Sequence, residues 1–137
     1  MQSLYDDIFA TLEGHTFTIA DVSVRKPYDK APKTYPSIVV HEIVNLPKNH
    51  GTVNGETRTR LAYQLDIQTS QVVDRVGVVL SEWDAGRRLV AEVSELLEAD
   101  YKITRSMTYP PERIASDVLS HIWRGDCVVE DGYVYRN

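Results

Sequence analysis

The stretch Arg58-Thr59-Arg60-Leu61-Ala62-Tyr63-Gln64-Leu65-Asp66-Ile67-Gln68-Thr69 decides the architecture. Leu61, Tyr63, Leu65 and Ile67 fall on one side of an extended chain; Ala62, Gln64, Asp66 and Gln68 fall on the other. A period of two is the signature of a strand with one face buried and one face wet. Upstream, Ser37 to Val44 (SIVVHEIV) is rich in β-branched residues. Paired with 58–69, it predicts a long antiparallel hairpin. The connection at 47–57 (PKNHGTVNGET) is polar and long for a hairpin loop, so it is expected to project, with Asn54-Gly55 as a tight turn.

Downstream, residues 70–80 (SQVVDRVGVVL) fit either a continuation of the strand or an excursion before the next element. Residues 82–99 predict the main helix, with Ser81 and Asp84 placed like a capping box. Its apolar stripe is read as Trp83, Leu89, Val90, Val93, Leu96 and Leu97. Residues 3–13 predict a shorter helix, capped by Ser3, with Asp6 and Asp7 at its positive end and Leu4, Ile8 and Leu12 on one stripe. Gly14 ends it.

Residues 16–24 alternate weakly and predict a strand or extended arm. Three prolines make 25–36 (RKPYDKAPKTYP) a loop, since none can donate to a sheet ladder. A strand is expected over 101–109, stopping at Pro110-Pro111, and another over 117–129. Asp131-Gly132 then turns the chain into a short return strand at 133–135. The order predicts one α+β domain over 1–137: an antiparallel sheet with two helices packed on one face and a long projecting hairpin.

Composition bounds the function. A chain of 137 residues, 42% hydrophobic and 26% charged, can bury a core without staples. Its net charge of −5 argues against a protein whose main task is gripping nucleic acid. One cysteine excludes an internal disulfide, and the acidic first residues are unlike a signal peptide. No apolar run approaches a membrane span, and a cytoplasmic setting is expected. The eight tyrosines suit surfaces that become partly buried in assemblies.

Candidate chemistry is sparse. None of His15, His41, His50 and His121 sits near another histidine or a cysteine at ligand spacing, so neither metal nor cofactor is expected. Asp126 and Glu130 beside Cys127 would raise a thiol pKa, which disfavours a nucleophile. Gly51 and Gly55 lack the Gly-Lys-Ser/Thr ending of a phosphate loop. Gly86-Arg87-Arg88 lies inside the helix, with its arginines on a solvated face or a subunit contact. An enzyme is not expected.

Four features in order carry a resemblance. They are the N-terminal helix; Tyr35-Pro36 leading into Ile38-Val39-Val40; Tyr63-Gln64-Leu65-Asp66-Ile67 after a polar loop; and Arg87-Arg88-Leu89 in a helix followed by a closing strand near 117–129. Over most of its length the chain resembles the tail-completion, or tail terminator, proteins of long-tailed bacteriophages. It departs from their pattern at 70–80, which is longer, and in the C-terminal hairpin 126–136.

The resemblance implies a homo-oligomeric ring, expected to be a hexamer, in the virion at the head–tail junction after assembly in the host cytoplasm. The implied partners are the tail tube protein and the head connector or stopper protein, with DNA passing non-specifically through an acidic lumen and no membrane involved. Interface candidates are Tyr28 and Lys33 in the proline loop, Lys48, Asn49, His50 and Asn54 in the polar loop, and Arg58 and Arg60 where the following strand begins. A neck, head-completion or minor capsid protein and a non-viral monomeric binding module are the competing readings.

Overall fold

A computed structural model describes residues 4–29, 34–47, 58–101, 103–130 and 133–134. Two long strands form the spine: β2, Ser37–Pro47, and β3, Arg58–Thr69. They pair antiparallel from Ser37 opposite Gln68 to Pro47 opposite Thr59, with one register shift between Glu42 and Val44. The connection at 48–57, and with it the expected projection, lies outside the described residues. The other edge of β3 pairs with β8, Val118–Glu130, from Thr69 opposite Leu119 to Arg58 opposite Glu130.

Alternation then sorts the side chains. Ile38, Val40, Tyr63, Leu65, Ile67, Leu119 and Trp123 share one face and are buried. Val39, His41, Gln64, Asp66, Ile122 and Arg124 share the other and are half-buried. Both helices cover the first face. From α1, Leu4–Gly14, Ile8 and Leu12 enter the core; from α2, Glu82–Asp100, Ala85, Leu89, Val93 and Leu97 enter at a spacing of four. Each fully buried aliphatic side chain contributes about 1.5–3 kcal/mol. The fold is therefore α+β, with a largely antiparallel sheet and both helices on one face.

Polar clasps fix the helices. The Ser81 side chain accepts from the Asp84 amide and caps α2. The Tyr101 hydroxyl, at the far end of α2, donates to the Asp7 carboxylate at 2.7 Å, and Tyr5 donates to the Val40 carbonyl at 2.9 Å.

Two expectations change, and the choice left open at 70–80 is decided for an excursion. The alternation at 16–24 yields only β1, Ser23–Arg25, and it runs parallel to β2. Phe17 and Ile19 bury in the core from irregular chain instead, so their spacing reported burial rather than a strand. Residues 70–80 leave the main sheet as a separate small hairpin, β4 at Val72–Val73 and β5 at Val79–Leu80. Trp83 is not on the buried stripe but 47% exposed. At about 100° per residue it stands roughly a third of a turn from the line of Ala85, Leu89 and Val93.

The strand expected over 101–109 stops before Pro110-Pro111, as expected, but a further short strand that the sequence reading did not include follows on the same edge. β6, Ile103–Thr108, pairs with β8 up to Thr108 opposite Trp123, and β7, Glu112–Ala115, resumes on the same edge at Glu112 opposite Ser120. The Tyr109 amide still reaches the Ile122 carbonyl at 2.9 Å. An edge strand tolerates residues without an N–H, because one side of its ladder faces outward. At the other end of β8, β9, Tyr133–Val134, pairs with Val129 and Glu130, as the return strand required; its turn lies outside the described residues.

Candidate interaction surfaces

Of the eight interface candidates singled out in sequence, three fall among the described residues. Tyr28 is 75% exposed in the turn after β1. Lys33, Lys48, Asn49, His50 and Asn54 lie outside the described residues. Arg58 and Arg60 are the first and third residues of β3, opposite Glu130 and Val128 on β8. Cys127 sits in β8 opposite Leu61 and Ile103. Arg87 and Arg88 are on the outer side of α2, paired with Asp84 and Asp74.

Two surfaces that sequence reasoning passed over are better formed. The first is the β4–β5 hairpin. Val73, Val76, Val78 and Val79 are each more than half exposed, Val76 at 83%. Solvent normally frays such a segment, yet this one is tied at several points. The Asp74 carboxylate accepts from the amides of Val76 (3.0 Å) and Val78 (2.8 Å), and the Asp74 amide donates to the Val78 carbonyl at 2.8 Å. Gly77 closes the turn at φ 87°, a value that a side chain would strain. Arg75 anchors the hairpin to the body, donating to the Phe17 carbonyl at 2.9 Å and to Asp21 at 3.1 Å. The sequence signal was there: Asp-Arg-Val-Gly between valine pairs is turn chemistry flanked by β-formers.

The second surface is a groove of about 460 Å³ between α2 and the β6–β7 edge. Trp83, Val90, Ala91, Tyr109 and Pro111 give it apolar walls, Arg87 stands at its rim, and Ser94, Thr108 and His121 supply polar atoms. The Trp123 indole N–H is already satisfied by Ser94 Oγ at 2.8 Å.

His121 is the one buried imidazole among the described residues, and its surroundings explain it. The Thr69 hydroxyl donates its single hydrogen to the Glu82 carbonyl at 2.8 Å, so the contact of 3.0 Å between Thr69 Oγ1 and His121 Nε2 makes the ring nitrogen the donor. Burial pushes the His121 pKa below the usual 6.5, and the nearby Asp66 carboxylate opposes that only in part. The ring packs against the α2 backbone with Nε2 nearest: a Cβ on Gly86 would come within 1.9 Å of it. Gly86 is therefore a space-making residue inside a helix. The Thr69 hydroxyl is committed to a carbonyl rather than poised to attack, and the trio joins the start of α2 to β3 and β8.

On the opposite side of α2, Glu92 receives the Thr18 hydroxyl at 2.7 Å, the Thr18 amide and His15 Nε2 at 2.7 Å. Burial works to raise the Glu92 pKa, but these hydrogen bonds outweigh it and hold the carboxyl below its usual value. Among the described residues no group of three or more His, Cys, Asp or Glu is arranged to hold a metal, and no helix is long and apolar enough to cross a membrane. No protein-family model matches the chain, and no curated protein is significantly similar to it.

Proposed function

We propose that the chain is a structural assembly protein: one subunit of a closed ring at the head–tail junction of a long-tailed phage, which terminates the tail tube and joins it to the head connector. The observation that carries the assembly reading is the ordered, solvent-exposed valine hairpin. Apolar side chains held rigidly in water are a standing cost to a monomer and a ready contact for a partner. The phage setting rests on the order of motifs from Tyr35-Pro36 to Arg87-Arg88-Leu89. The action is physical rather than catalytic. A ring closes by repeating one heterologous contact, and an acidic subunit, at −5, repels phosphates and lets DNA pass.

The groove beside α2 favours a second reading, a monomeric module that binds an apolar ligand. The two readings separate on the particle. Imaging of assembled virions carrying the tagged chain is expected to find a closed ring at the neck, of about six copies if the resemblance holds. A single copy per particle, or none, rejects the ring.

A further inference from the structure

We propose that the β4–β5 hairpin of one copy seats in the α2–β6 groove of the next copy, and that this is the repeating contact of the ring. The proposal deepens the ring reading and rests on it for its biological setting. The two surfaces complement each other in shape and chemistry. One is a convex aliphatic tip, Val76 and Val78 with Val73 and Val79 behind them; the other is a concave channel walled by Trp83, Val90, Ala91, Tyr109 and Pro111. The tip is already ordered by Asp74 and Arg75, so docking freezes little chain, which is the main saving that pre-organisation offers.

Position decides the symmetry. Asp74 of the hairpin reaches Arg88 on α2, on the flank where Glu92 clasps Thr18. The groove opens on the other flank, along Trp83, Val90 and Ser94. At about 100° per residue these two sets lie on opposite sides of the buried stripe. A two-fold dimer would need tip and groove on the same side, so that each copy gave and received across one axis. Tip and groove on opposite flanks give a head-to-tail contact, which repeats until it closes.

The rims are compatible in charge. The exposed ion pair Arg75–Asp21 lies beside the tip and Arg87–Asp84 beside the groove, so their four charges can alternate in sign across the junction. The contact is small. A four-valine tip falls well short of the roughly 1,200 Å² that stable interfaces bury in total, so two free copies associate weakly. A closed ring, where every copy makes the contact twice, is what the tail end would nucleate.

Covalent trapping tests this without requiring a stable free ring. In a Cys127→Ser background, Val76→Cys with Ala91→Cys is expected to give, on oxidation at high concentration, a ladder of covalent oligomers that ends at one closed species. Val76→Cys or Ala91→Cys alone should stop at a dimer. Val78→Asp added to the double variant should abolish the ladder while circular dichroism and melting stay unchanged, because the tip is solvent-exposed in the monomer. A double variant that stops at a dimer, or a ladder that survives Val78→Asp, overturns the contact. So does equal binding of an apolar dye by wild type and Val78→Asp with no trapped oligomer, which would make the groove a ligand pocket. Particle imaging keeps the two claims apart. A neck ring that Val78→Asp leaves intact removes this contact but not the ring; absence of any ring removes both.

Discussion

Two valine-rich stretches of this chain meet opposite fates. In β2, Ile38 and Val40 are fully buried; in the β4–β5 hairpin, Val73, Val76, Val78 and Val79 stand in solvent. Both stretches have the β-branched composition that favours extended chain, and both form strands. They differ in what lies above them. β2 contributes to a face that α1 and α2 cover, whereas β4 and β5 are two residues each and present a face that no described element covers. Only Leu80, with Val72 partly, reaches back to the core. β-branched residues thus specify local conformation, and the second layer specifies burial.

The comparison is broken most severely from the core side. Ile67→Ala, beneath α2, should lower unfolding free energy by about 2–5 kcal/mol. Val76→Ala should stay within about 0.5 kcal/mol in the same urea titration. Equal losses would mean that the hairpin belongs to the folding core and is not a free contact surface.

Gly86→Ala sharpens it next, because two effects oppose each other. Helix propensity alone favours alanine by about 1 kcal/mol. The added methyl would sit within 1.9 Å of a buried, hydrogen-bonded imidazole, so overpacking should prevail with a net loss of about 1–3 kcal/mol. In a His121→Ala background the penalty should shrink or reverse. A stabilised single variant would show that α2 moves off the sheet easily.

The smallest effect is a pH slope. His121 has a folded pKa below 6.5, so between 6.5 and that lower value the unfolded chain holds more protons than the folded one. Stability therefore falls on acidification through this window, by at most about 1.4 kcal/mol per pH unit. His121→Gln should flatten the slope below pH 6.5, and a hairpin variant such as Val76→Ala should leave it in place. An unchanged slope in His121→Gln would locate the titration elsewhere. Glu92 acts in the same direction but lower, its stabilisation being lost as pH drops from about 4.5 through its depressed value.

Much of this was legible in order along the chain. The alternation through Tyr63, Leu65 and Ile67 marked β3 and its core face, and Ser81 with Asp84 marked where α2 begins. Such signals are local: a strand's period and a cap's hydrogen bond involve residues within a few positions of one another. The groove was not legible, because Trp83 and Tyr109 approach it from elements whose packing no spacing reveals. Nor was the reason for Gly86, whose neighbour His121 is distant in sequence. The prolines at 110–111 marked the end of β6, but the renewed pairing of β7 was not legible, because it depends on the free edge of β8, which comes later in the chain.

By itself, then, the sequence determined which segments are extended, which are helical and where the turns fall, since φ/ψ preference and short-range hydrogen bonding reside in the residues themselves. It also set the acidic charge and the single thiol. Only the tertiary structure decided which valines are wet, that the proline-broken chain rejoins β8, and that a rigid apolar tip and an apolar groove flank the same helix. Burial is a property of pairs of surfaces, and residues such as Val76 and Tyr109 acquire it, or are denied it, only when elements far apart in the chain come to rest against one another.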